Sequence, residues 1–120
     1  MQYPQQTMQR AIRAVRCSPF QRQLFADMRS QQVSLQAIAG PTGVEKHYTQ
    51  SPLAEMAVES ALLWLMQVGL LRREVDGQGL TDSFRLTPLG RELIEVEPAW
   101  MPPTLGDRLQ NILSRLRLPG

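Results

Sequence analysis

The chain has 120 residues but only one cysteine and one histidine. Cys17, being alone, excludes an internal disulfide and fits a reducing cytoplasm. His47 has no cysteine or histidine partner at ligand spacing, so no metal is expected. The most apolar run, Ala61 to Met66, is far short of the roughly 18 residues that a membrane-crossing helix needs. No membrane partner is therefore expected. Met1-Gln2-Tyr3-Pro4 shows no charged region followed by an apolar one, so no secretory signal is expected either. Catalytic groupings are also missing. Cys17 has no adjacent base, and Gly77-Gln78-Gly79 lacks the lysine of a phosphate loop. Glu55 and Glu59 lie one helical turn apart and read as solvated carboxylates. The expectation is a non-enzyme without a cofactor, in one domain spanning 1–120.

The net charge of +2 is small, yet its distribution is uneven. Residues 1–29 hold five arginines against Asp27, a net +4. Residues 30–97 carry a net −4, and residues 98–120 a net +2. Basic termini around an acidic middle can steer a polyanion or an acidic partner. They equally suit a solvated surface.

What is present is concentrated between Ser51 and Glu97. Ser51-Pro52 reads as a helix start, with the serine as cap and the proline in the first turn. Ala54, Val58, Ala61, Leu65 and Val68 form one stripe at helical spacing. Gly69 suits a left-handed helix end. Met56, Leu63 and Met66 fall on the opposite side, among glutamates. A helix apolar on two sides predicts cover on two sides. Residues 70–75 read as a strand, Asp76-Gly77-Gln78-Gly79 as turn chemistry, and Ser83 to Leu86 as the return strand. That gives a hairpin with a loop of roughly six residues. Thr87-Pro88 caps a further helix that turns Leu89, Leu93 and Ile94 inward and ends at Glu97-Pro98.

The succession Leu65-Met66-Gln67-Val68-Gly69-Leu70-Leu71-Arg72-Arg73, a turn, and Phe84-Arg85-Leu86-Thr87-Pro88-Leu89-Gly90-Arg91-Glu92-Leu93 resembles the end of a winged helix-turn-helix domain. Bacterial regulators of the MarR and PadR kind show the same order and spacing. The wording also resembles an uncharacterised cyanobacterial family of small proteins. The match covers about a third of the chain.

The flanks read as helices. Gln5 to Cys17 carries Met8, Ala11, Ile12 and Val15 on one side and Arg10, Arg13 and Arg16 on another. The arginine row suits either phosphates or solvent. Ser18-Pro19 repeats the Ser-Pro start, for a helix to about Ser30 with Phe20, Leu24, Phe25 and Met28 inward. Gln31-Gln32-Val33 suits a short strand. Ser34 caps a short helix with Leu35, Ile38 and Ala39, closed by Gly40. Eleven residues then separate Gly40 from Pro52, more than a helix-turn-helix turn requires. Either a second helix resumes around 44–48 or the turn carries an insertion. After the prolines at 98, 102 and 103, with Trp100 and Met101 exposed or docked, Thr104 and Asp107 form an approximate capping box. It opens a helix over 104–117 with Leu105, Leu109, Ile112, Leu113 and Leu116 as a narrow stripe. Such a helix must lie on the body or on a second copy, and covering Met56, Leu63 and Met66 is one role for it.

The fold class expected is mostly α with a small antiparallel β-hairpin (α+β). The resemblance implies a winged helix-turn-helix core over about 18–97, with extra helices over 5–17 and 104–117. It further implies a cytoplasmic transcription regulator that binds double-stranded DNA as a homodimer. Base and phosphate contacts then fall on Lys46, Thr49, Gln50, Ser51, Arg72, Arg73 and Arg85. Glu55, Glu59, Asp76 and Asp82 depart from that pattern, because phosphates repel carboxylates. The competing reading is a protein–protein interaction and dimerisation module that binds no DNA. Its interface would comprise Met56, Leu63, Met66, Leu105, Leu109, Ile112 and Leu116.

Overall fold

In the computed structural model, which describes residues 3–117, the core forms around α5 (Glu55–Gln67). Val58, Leu62, Leu65 and Val68 are fully buried along one side of this helix. They carry the expected stripe, with Leu62 added, while Ala54 is exposed and Ala61 half-buried. α5 ends where Gly69 takes φ +90°, as the glycine predicted. α1 (Gln5–Arg16), α2 (Arg22–Ser30) and α6 (Pro88–Leu93) complete the core. Their inward residues include Ala11, Ala14 and Val15, then Leu24, Phe25 and Met28, then Leu89 and Leu93.

Two helices start later than their Ser-Pro pairs predict. α2 begins at Arg22 with Gln21 as its cap, and α5 begins at Glu55 with Ala54 as its cap. In both places tertiary hydrogen bonds hold the intervening residues extended. Gln21 N–H donates to the Tyr48 carbonyl at 2.8 Å, and Gly40 N–H donates to the Leu53 carbonyl at 2.8 Å. Local capping preference yields to these pairings.

The hairpin pairs as expected. β2 (Leu71–Asp76) runs antiparallel to β3 (Gly79–Leu86), with Arg72 opposite Arg85 and Arg73 opposite Phe84. Its loop is tighter than the roughly six residues predicted, because Asp76 already pairs with Gly79. The Asp76 carboxylate accepts from Gln78 N–H at 2.7 Å and closes the turn. β3 absorbs the extra residues in an irregularity facing Arg73 to Val75, where Thr81 Oγ1 donates to the Glu74 carbonyl. β1 (Val33–Ser34) adds to the outer side of β3, giving the sheet order β1-β3-β2.

Ser34 caps α3 (Leu35–Ile38) by accepting from Ala37 N–H at 3.2 Å. α4 (Gly40–Glu45) follows at once, so the second helix forms earlier than 44–48 and residues 46–54 make the long connection. Thr87 caps α6 through Gly90 N–H. α6 stops at Leu93, short of the predicted Glu97-Pro98, and a 3-10 turn spans Glu97–Trp100. Trp100 docks on Phe25, with ring centroids 5.6 Å apart, and donates from its indole to the Ile94 carbonyl. α7 (Leu105–Arg117) then crosses back beside α1. Among the described residues the architecture is therefore mixed: seven α-helices and one small three-stranded antiparallel sheet.

Candidate functional site

The residues expected to contact DNA fall in two places, the connection after α4 and the β2–β3 hairpin. Lys46, Gln50 and Ser51 are exposed in the long connection. Thr49 is only 3% exposed. Its backbone bridges to Phe20 and donates to the Gly43 carbonyl, so its side chain is withdrawn from any groove. Tyr48 anchors this segment: its phenol donates to Asp27 Oδ2 at 2.6 Å. Burial and that carboxylate push the Tyr48 pKa up to about 12. On the hairpin, Arg73 stacks over the Phe84 ring at 5.1 Å. Arg85 Nε sits 3.3 Å from Glu74 Oε1, and its Nη2 donates to the Ser30 carbonyl. Arg72 is exposed. The open face of α5 presents Glu55, Glu59, Ser60 and Gln67 with two apolar side chains, Met56 at 83% and Leu63 at 38% exposure. Met66 is half-buried beside them. An acidic and apolar face opposes phosphate approach.

α7 docks with the side that its amphipathic pattern does not favour. The buried indole of Trp64 donates to Asn111 Oδ1 at 2.9 Å. Arg115 places its guanidinium 5.8 Å from the Trp64 ring centroid and donates to the Ser60 carbonyl and hydroxyl. Asp107 accepts from Arg16 Nη1 at 3.1 Å and from Thr104 N–H at 3.0 Å, while Thr104 Oγ1 accepts from Asp107 N–H. The predicted capping box therefore forms and also ties α7 to α1. The Thr104 amide and Arg16 hold the Asp107 pKa below the usual carboxylate range. Cys17 lies half-buried near this contact, and its thiol pKa is raised, first by burial and then by Asp107.

The consequence is an inverted helix. Asp107, Asn111 and Ser114 face the body, and no residue of α7 is fully buried. The apolar stripe faces outward, with Leu105 at 84% and Leu116 at 77% exposure, and Leu109 and Ile112 exposed between them. The expectation that this stripe covers Met56, Leu63 and Met66 is not met. A buried Trp64 N–H needs a polar partner, and Asn111 supplies one from the polar side. α5 and α7 instead flank one open groove, lined by Met56, Leu63, Trp64, Met66 and Arg115. The periodicity in 105–116 identified both sides of the helix but could not tell which meets the body.

Among the described residues, no three His, Cys, Asp or Glu side chains group as a metal site. No described helix is long and apolar enough to cross a membrane. A protein-family model described as Npun_F0494-like matches residues 1–115, and the chain belongs to that family. Comparison with curated proteins and with solved structures gives no match.

Proposed function

We propose that this chain is a winged-helix interaction module that self-associates through α5 and α7 and does not read DNA. The sheet order β1-β3-β2, with a long helix directly before the β2–β3 hairpin, supports the winged-helix assignment. The observation that carries the function is the outward stripe of Leu105, Leu109, Ile112 and Leu116. Each such side chain gains about 1.5–3 kcal/mol when it leaves water. Contiguous exposure of this kind marks an interaction surface.

The occupant is a second copy. α5 borders its apolar residues with Glu55 and Glu59, and α7 borders its own with Arg108 and Arg115. Two-fold pairing brings the acidic border of one copy towards the basic border of the other. A heterologous partner would need to supply both signs in matching places.

A mobility-shift series on mixed-sequence duplex tests the reading, with light scattering on the same preparation. A dimer that leaves the duplex unshifted at low ionic strength is the expected result. Retention that falls steeply with salt, and is lost in Lys46→Ala and Arg72→Ala, would establish DNA binding instead.

A further inference from the structure

A second surface carries different chemistry. α1 and α7 flank an open polar groove of about 400 Å³. Arg10 and Arg13 of α1 and Arg117 of α7 line it, with Gln9, Gln110 and Ser114. Among the described residues no carboxylate lines it. α1 has no acidic residue, and the one carboxylate of α7, Asp107, is already held by Arg16. Arg10 Nε and Arg13 Nε are covered yet have no hydrogen-bond partner among the described residues. Arg73 Nε and Arg85 Nε share that state, but their guanidinium groups have other neighbours. Arg16, Arg29 and Arg85 face carboxylates, while Arg22, Arg73 and Arg115 lie over aromatic rings.

Two guanidinium groups three residues apart on one helix face repel. A shielded donor without a partner adds a further cost. An anion placed between them removes the repulsion. Guanidinium forks match the oxygens of phosphate in pairs, and the glutamine amides and the Ser114 hydroxyl add neutral donors. The exposed apolar residues Leu105, Leu109, Ile112 and Leu116 do not line this groove, so it is distinct from the self-association face.

We infer that the α1–α7 groove binds a phosphate-bearing anion of two or more negative charges through Arg10, Arg13 and Arg117. Such a group can belong to a free oligophosphate compound or to an anionic lipid headgroup.

The test is calorimetric titration of the full chain with inorganic triphosphate at low ionic strength, beside co-sedimentation with vesicles. The vesicles are phosphatidylcholine alone or phosphatidylcholine with phosphatidic acid. Saturable binding is expected, weakened about tenfold or more in Arg10→Gln and in Arg13→Gln, since one charge-assisted contact carries at least that factor. Arg72→Gln, on the hairpin, leaves it unchanged. Binding of triphosphate alone assigns a free phosphate compound. Binding of phosphatidic acid vesicles that both arginine variants abolish assigns the headgroup. Arg117→Gln, in the exposed last turn, gives the same readout if an α1 variant fails to fold. Neither probe binding, or binding undiminished in variants of native helix content, would overturn the site.

Discussion

Asn111 Oδ1 accepts a hydrogen bond from the Trp64 indole at 2.9 Å, joining the middle of α7 to the buried side of α5. Together with the Arg16–Asp107 and Arg115–Ser60 contacts it sets which side of α7 meets the body. With Asn111 inward, Asp107 four positions before it and Ser114 three positions after it also face inward. The leucines are left outward.

Replacing Asn111 by alanine strands a buried donor. Loss of about 1–3 kcal/mol is expected, measured by urea unfolding. In a Trp64→Phe background, which has no indole N–H, the same substitution should cost clearly less. Equal costs in both backgrounds would deny the hydrogen bond its role.

Gly43 is set by space. A Cβ there would lie 1.8 Å from the Ile38 carbonyl oxygen. Gly43→Ala must therefore displace backbone between α3 and α4, and is expected to cost about 3 kcal/mol or more. Gly77, at the hairpin tip, has nothing within 4 Å of such a Cβ. Gly77→Ala should stay within about 0.5 kcal/mol of the parent. Thermal melts of the two variants compare them directly.

Two groups give opposite pH dependences. The Asp107 pKa is lowered in the folded chain, chiefly by the Thr104 amide. Its contribution is present above the ordinary aspartate value of about 4 and is lost as pH falls through the lowered folded value. The α7 anchor should loosen on acidification, seen as earlier exposure of Trp64 to a fluorescence quencher. Asp107→Asn should remove that acid step. Tyr48 behaves the other way. Its pKa is raised to about 12, so its contribution is full below about 10 and fades as pH rises from there through 12. Ultraviolet titration of a Tyr3→Phe variant should show the phenol ionising near that raised value. Asp27→Asn should bring it down.

Much of this arrangement was legible in the residues. Val58, Leu65 and Val68 sit where helical spacing put them, and the strands around Arg73 and Arg85 pair antiparallel. Ser34, Thr87 and Thr104 cap the helices their positions suggested. These features depend on neighbours within a few residues. The errors share another origin. Ser18-Pro19 and Ser51-Pro52 failed to start helices because distant carbonyls and amides claimed the next residues. The resemblance put Thr49 among the DNA contacts, yet it bridges to Phe20 and lies buried. The inward side of α7 was chosen by Trp64, more than forty positions away in the chain. No local pattern encodes such a pairing.

Sedimentation equilibrium on the intact chain and on a Leu109→Glu, Leu116→Glu double variant tests the central claim most directly. Both positions are exposed and make no contribution to the core, so the variant should keep its circular dichroism and melting temperature. The parent is expected to fit a monomer–dimer equilibrium and the variant a monomer, with association weakened about a hundredfold or more by two charges in an apolar contact. A parent that stays monomeric at all concentrations, or a variant that dimerises as well as the parent, would contradict it.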